Sequence, residues 1–249
     1  MPLFGHDLWR IHTQQHLPPE SFAFIAEQET PDALGFRLEA GGPTHGLALL
    51  KKEPIVATQP CIFLEDAPNG HTHCAIYPDR PVTCQSYPMS KFGPRVYQRE
   101  ATLCPPDSWS DEDTLAPHWR ENLQRLRMYR DIYVEVLARW NTAVERWAPP
   151  EPLPASVFCD YLLMVYDQIA VAEAAIQPDL RQGILLGWAQ IGRNDRGGID
   201  SHQLTVARAQ EPPWITYFRR VREVIDGFFP DLEPLPFQNV LVESTPAGN

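Results

Sequence analysis

The sequence predicts an α+β fold that is mainly α: a small, loop-rich cysteine-cluster domain with a short hairpin over residues 1–110, then a helical domain over residues 111–249 packed on it. Three observations lead there. Four of the five cysteines fall between Cys61 and Cys104, spaced C-x12-C-x9-C-x19-C, in a stretch crowded with turn residues. Just before it, Gly35 to Lys52 alternates apolar and polar positions around Gly41-Gly42-Pro43, a strand–turn–strand pattern. After Cys104, apolar residues recur at helical spacing almost to the end. At 249 residues the chain holds one large domain or two small ones, on a prior of about 100–200 residues per domain.

In chain order, Asp7 to His16 reads as a short helix with Leu8, Ile11 and Gln15 at helical spacing and Asp7 as N-cap. Pro18-Pro19-Glu20 ends it, and Ser21 to Glu29 reads as a second helix with Phe22, Ile25 and Ala26 on one face. Phe36, Leu38 and Ala40 then alternate, as do Leu47, Leu49 and Lys51, which predicts the hairpin. Cys61 to Leu64 is a short strand or extended leg. Ala67-Pro68-Asn69-Gly70 and the Xaa-Pro bonds between Tyr77 and Pro88 make the cysteine region loops folded around something, since proline fixes φ and cannot donate to a ladder.

A long helix is expected from Ser110, with Asp111, Glu112 and Asp113 in its first turn, to about Trp147. Trp119, Leu126, Tyr133, Trp140 and Trp147 repeat every seven residues with Tyr129, Val136 and Ala143 between them. So bulky and aromatic a stripe predicts packing against the chain's own elements, because a dimeric coiled coil wants aliphatic residues there. The run Pro149 to Pro154 is a stiff break. Ala155 to Ile176 follows with a Phe158, Leu162, Val165, Ile169, Ala172 and Ile176 stripe, then a helix from Pro178 to about Ile191, a break at Gly197-Gly198, and a last helix from Trp214 to Phe229. The tail, with Pro230, Pro234, Pro236 and Pro246, reads as extended.

Charge and composition exclude several function classes. With 21 Lys+Arg against 32 Asp+Glu the formal charge is −11, which argues against nucleic acid or an anionic membrane as partner, both of which need a positive field. The sequence shows no basic segment followed by an apolar run of signal-peptide type, and Tyr161–Tyr166 and Ile184–Trp188 are too short to cross a bilayer. The expectation is a cytoplasmic protein with reduced thiols. No Ser-His-Asp order, paired-carboxylate motif or phosphate-cradling glycine loop stands out, and Gly187 to Gly198 lacks the G-x-G-x-x-G order.

Clustered thiols in a reducing compartment point to a soft metal, because thiolate is preferred over carboxylate by Zn²⁺, Cu(I) and iron–sulfur clusters. Cys61, Cys74, Cys84 and Cys104 are the expected ligands, of tetrahedral Zn²⁺ or of a [4Fe–4S] cluster; the bland alternative is four thiols packed as small hydrophobes. His71 and His73 flank Cys74 as H-x-H-C and can replace a thiolate, or stand exposed in a loop. His12 and His16 sit four apart but lack the glutamate of an H-E-x-x-H motif and read as surface residues. Cys159, beside Phe158 on an apolar helix face, reads as core.

The stretch from Cys74 to Pro88, Cys-x-Ile-Tyr-x-x-Arg-Pro-x-x-Cys-x-x-Tyr-Pro, resembles the central motif of the YkgJ-type cysteine-cluster proteins, a family described as zinc- or iron-chelating. Pro60-Cys61-Ile62-Phe63-Leu64 and Leu103-Cys104-Pro105 resemble the segments before and after it, so the resemblance covers about the first 110 residues. The family's C-x-x-C-x-x-C-C is absent, and Leu3 to Ile11 resembles the segment that directly follows it, so two expectations stand: a natural variant that keeps a single four-thiolate site, or a Met1 that is an internal start with more cysteines upstream. The resemblance implies that Arg80 donates to backbone carbonyls or faces the charge of a thiolate-bound metal, and that Tyr77 and Tyr87 wall the site. Two functions follow from it: a metal-binding module whose helical domain meets a protein partner, or a metal- or iron–sulfur-dependent protein-modifying enzyme resembling flagellin lysine N-methylase.

Overall fold

The structure, a computed structural model, describes residues 1–52, 60–68, 70, 72–92, 95–98, 117–174 and 213–228. The fold is α+β and mainly α. Helix α1 (Gly5–Gln15) is followed by strands β1 (Ala23–Glu27), β2 (Phe36–Arg37), β3 (Thr44–Leu49), β4 (Leu64–Asp66) and β5 (Thr72–Cys74). The short helix α2 (Val82–Ser86) and the hairpin β6 (Met89–Phe92)–β7 (Arg95–Gln98) precede three long helices, α3 (Pro117–Trp147), α4 (Ala155–Ala174) and α5 (Pro213–Gly227).

Helix α1 starts two residues earlier than its sequence suggests, and Asp7 is not its cap. Phe4 takes the extended cap conformation (φ −99°, ψ 163°), and Asp7, three residues on, turns its Oδ2 back to accept the Phe4 N–H at 3.3 Å. One open donor of the first turn is satisfied from inside the helix. His16 closes the helix at φ 54°, the left-handed conformation usual after a last turn.

The expected second helix over Ser21 to Glu29 is a strand. A tight turn at Pro19–Ser21 leads into β1, which pairs antiparallel with β3 from Ala23↔Leu49 to Glu27↔His45. Phe22, Ile25 and Ala26 fit either period in so short a run, and the partner strand decides, as it does for weak local preferences generally. The hairpin expected over Gly35 to Lys52 is present between β2 and β3, with Phe36 opposite His45, but β2 is only two residues long. The sheet order is β1-β3-β2, and the segment at Met1 to Leu3 also lies along β3: Leu49 N–H donates to the Met1 carbonyl at 2.9 Å and Leu3 N–H to the Leu47 carbonyl at 3.0 Å.

The aromatic stripe of α3 is core. Tyr133, Val136, Trp140 and Ala143 are buried, and Leu126, Tyr129 and Trp147 pack against the same core. That core does not stop at residue 110: Phe22, Phe36 and Phe63 belong to it together with Trp140, Phe158, Val221 and Ile225. Phe36 stacks on Phe158 with ring centroids 3.6 Å apart. The Trp140 indole N–H donates to the Arg37 carbonyl at 2.6 Å, and Asn141 both accepts from Arg37 N–H (2.8 Å) and donates to the Gly35 carbonyl (3.0 Å). Trp119 instead joins Met89 and Leu123 in a second, smaller cluster between α3 and β6.

Contrary to the reading of its apolar runs as too short, α4 is by length and composition alone apolar enough to cross a membrane. Its Phe158, Leu162, Val165 and Ile169 are nevertheless buried against the protein's own core, which is what the stripe predicts for a core helix. On α5, Val221 and Ile225 are buried and Arg219 and Arg220 exposed, as expected. Residues 110–116, Ile176, the expected helix from Pro178 to Ile191, Gly197-Gly198 and the tail after Phe228 lie outside the described residues.

Candidate thiol site

Three separate short elements carry Cys61, Cys74 and Cys84. Cys61 is held beyond the end of β3, where it bridges to Lys51, Lys52 N–H donates to the Pro60 carbonyl (3.1 Å) and Ile62 N–H to the Leu50 carbonyl (3.2 Å). Cys74 ends β5, opposite Leu64 on β4, and Ala75 N–H donates to the Phe63 carbonyl at 2.8 Å. Cys84 lies in α2, whose first turn is closed by Cys84 and Gln85 N–H groups on the Pro81 carbonyl (2.8 and 3.0 Å). A helix of five residues has little stability of its own. It is held from outside.

The holder is α1. Asp7 is fully buried, and its Oδ1 accepts from the Val82 N–H at 2.9 Å and from Arg10 Nη2 at 3.1 Å. Arg10 Nη2 also donates to the Arg80 carbonyl at 2.7 Å, and Gln15 Nε2 to Asp79 Oδ2 at 2.7 Å. From the other side, Asn122 of α3 donates to the Gln85 carbonyl at 3.1 Å. The segment 79–85 is therefore clamped between α1 and α3. Burial pushes the Asp7 carboxyl up, against the pull of Arg10 and of the Val82 and Phe4 N–H groups.

The thiols lie in one another's electrostatic field. Burial raises Cys61, with the charge of Cys74 adding to it; the Phe63 N–H, 3.5 Å from Cys61 Sγ, and Lys52 oppose it only in part. Burial pushes Cys84 up to about 12, with further contributions from Cys61, Asp7 and Cys74 and a weaker opposing one from Arg80. Cys84 Sγ donates to the Met1 Sδ at 3.3 Å. Cys61, Cys74 and Cys84 are free and partly buried. At neutral pH Cys61 and Cys84 are thus protonated, and a cation placed among them would lower the thiol pKa values and expel the protons.

Of the expected ligands, Cys61, Cys74, Cys84 and His73 lie among the described residues, while Cys104 and His71 lie outside them. Among the described residues no set of three or more His, Cys, Asp and Glu side chains stands ready to hold a metal ion. The donor chemistry of the three thiols fits a soft metal; their spacing is not that of a completed ligand set. His73 is exposed and pairs with Glu65 across the β4–β5 hairpin at 4.0 Å, and because side chains alternate along a strand it faces away from the side that Cys74 presents.

The Arg80 guanidinium lies over the Tyr77 ring, 4.1 Å from the centroid, a cation–π placement, and its charge opposes the rise of Cys84. Tyr77 and Tyr87 are both exposed, at 60% and 37%. His12 is engaged with the Leu17 carbonyl at 2.8 Å and His16 stands at the helix end. Cys159 packs against the core as expected, and burial raises it to about 11, with Asp160 and Glu20 adding.

Sequence reasoning missed Asp7 and Arg10 as anchors of the cysteine loop and read Asp7 only as a cap. It also missed His6, which is buried, stacked on Tyr129 with centroids 3.7 Å apart, and 3.2 Å from Glu173 Oε1. Tyr217 donates to the same Glu173 oxygen at 2.5 Å, so this polar group joins α1, α3, α4 and α5. No local pattern announces such a group, because its members run from His6 to Tyr217 along the chain. Compared with known proteins, the chain matches no family model, no curated protein and no solved structure.

Proposed function

We propose that the protein is a metal-binding cysteine-cluster protein that holds Zn²⁺ or a [4Fe–4S] cluster on Cys61, Cys74 and Cys84, with Cys104 as the fourth ligand. The observation that carries this reading is that three thiols from three separate short elements lie in one another's field, with burial raising Cys61 and Cys84 beyond what nearby Lys52 and Arg80 offset. The resemblance of Cys74 to Pro88 to the YkgJ-type motif supports the same ligands. A bound ion would supply the positive charge that buried thiolates need and would cross-link the chain beyond β3 to β5 and α2, elements too short to hold their arrangement by local hydrogen bonds alone.

Cys84 would be the ligand most sensitive to its support, because Asp7 and Arg10 fix the segment on which it sits. The test is anaerobic isolation followed by metal analysis and an absorption spectrum. A brown protein with broad visible absorbance identifies the iron–sulfur form, and a colourless one with about one zinc per chain the tetrahedral form. A chain isolated without either metal that also fails to take one up under reducing conditions overturns the proposal.

A further inference from the structure

The outer strand of the three-stranded sheet presents a row of backbone groups to its free side. In an antiparallel pair, residues alternate between those that bond across to the partner and those whose N–H and C=O point away from it. Bonds at the two ends of β1 fix which are which: Leu50 N–H donates to the Phe22 carbonyl at 2.8 Å and Gln28 N–H to the Thr44 carbonyl at 2.8 Å, so Phe22, Phe24, Ala26 and Gln28 turn to β3. Ala23, Ile25 and Glu27 turn their backbone groups outward. On its other side β3 is covered by β2 and by the Met1 to Leu3 segment, whereas among the described residues nothing bonds to the outward groups of β1.

Soluble proteins guard such an edge with lysine, proline, a bulge or a cover. The strand Ala-Phe-Ile-Ala-Glu holds neither lysine nor proline, and its register with β3 runs unbroken from Ala23 to Glu27. Beside the edge, Phe24 is 39% exposed and Ala26 is exposed as well, while Ile25 packs on the core from the opposite face. Charge here is one-sided. From Glu20 to Asp32 the chain carries four acidic residues and no basic one, and Glu20, Glu27, Glu29 and Asp32 are all exposed. A second copy of this strand would bring the same acids against one another, which disfavours self-pairing. An incoming strand with an apolar centre and Lys or Arg at its ends satisfies the backbone row, the apolar surface and the acids together.

We propose that the free edge of β1 is a docking site for an extended basic segment of a partner protein, which adds to the sheet as a further strand. Main-chain bonds to Ile25 and Glu27 supply the affinity, Phe24 and Ala26 select apolar side chains at alternate positions, and the flanking carboxylates select Lys or Arg.

The test uses the full chain and a fluorescent probe peptide, Lys-Arg-Val-Thr-Val-Thr-Val-Arg-Lys, with two further versions N-methylated at alternate residues, one for each edge of the peptide. All three carry the same charge. Fluorescence polarisation is expected to show saturable binding of the parent and of one methylated version, and binding weaker by about tenfold or more for the version that blocks the paired edge. Amide exchange read by NMR is expected to be fast at Ile25 and Glu27 in the free chain and slowed by the parent peptide, with Phe24 and Ala26 protected throughout. Glu27→Gln is expected to weaken binding about twofold to threefold; Glu27→Pro, which also removes an outward N–H without touching the β3 ladder, is expected to weaken it about threefold further. The methylated probes need no change in the protein, so they decide the matter even where Glu27→Pro does not fold. Equal affinity for all three peptides means attraction by charge alone, and a concentration-dependent dimer that protects Ile25 and Glu27 means that the occupant is a second copy. Either result overturns the inference, as does the absence of binding.

Discussion

Asp7→Ala is expected to cost about 3 kcal/mol and to loosen the helix that carries Cys84, because Asp7 serves three donors at once. It is 0% exposed, and its partners are the Phe4 N–H, the Val82 N–H and Arg10 Nη2. Each buried N–H left without a partner costs about 1–3 kcal/mol, and stripping one member of a buried ion pair about 3–5 kcal/mol. These costs overlap, and Arg10 keeps the Arg80 carbonyl and some access to water, which puts the sum at the lower end. Against a typical stability of about 5–15 kcal/mol this is a large fraction. Guanidinium denaturation followed by circular dichroism reads it as a lowered midpoint at constant slope. The same variant should react faster with a thiol reagent at Cys84, because Val82 opens the turn on which Cys84 sits. A loss below about 1 kcal/mol refutes the clamp; a full loss with unchanged Cys84 reactivity refutes its coupling to the thiol site. The pH sign follows from the raised Asp7 carboxyl. The folded state keeps this proton above 3.8, where the unfolded chain has released it, so stability from this group falls as pH rises from the ordinary value through the raised one. Asp7→Asn should remove that slope.

Three further outcomes are expected. Gly5→Ala would place a Cβ 1.9 Å from Tyr166 Cε2, inside a ring that is itself fully packed, and should lower the thermal midpoint by the equivalent of about 1–3 kcal/mol or more; an unchanged midpoint would contradict the close approach of α1 to α4. Trp140→Phe keeps most of the apolar contact but orphans the Arg37 carbonyl, for a loss of about 1–3 kcal/mol in denaturant midpoint, and a neutral result would show that the bond across the two halves is dispensable. Metal uptake should acidify a weakly buffered solution at neutral pH, because Cys61 and Cys84 are both raised and must lose their protons. Affinity should accordingly fall as pH is lowered, and uptake without proton release would exclude these thiols as ligands.

The helical half was legible in the sequence because its signal is long. The positions of the α3 stripe reinforce one period, and α4 repeats it, so Trp140, Phe158 and Val165 could be assigned to the core without a partner in view. The first 52 residues were harder. Ser21 to Glu29 has too few apolar residues to separate periods, and pairing with β3 settles it. The cysteine spacing pointed to a thiol site, yet not to how it is held: the Asp7–Val82 contact spans 75 residues and His6–Glu173 spans 167, and contacts of that separation leave no mark in a local pattern.

The account turns on whether Cys61, Cys74 and Cys84 share one metal, and cobalt substitution tests that most directly. Anaerobic titration with Co(II) is predicted to give an intense thiolate-to-cobalt charge-transfer band that saturates at about one ion per chain, and each of Cys61→Ser, Cys74→Ser and Cys84→Ser should weaken it while Cys159→Ser leaves it unchanged. A band indifferent to the three substitutions, or no band at all, would contradict the shared site.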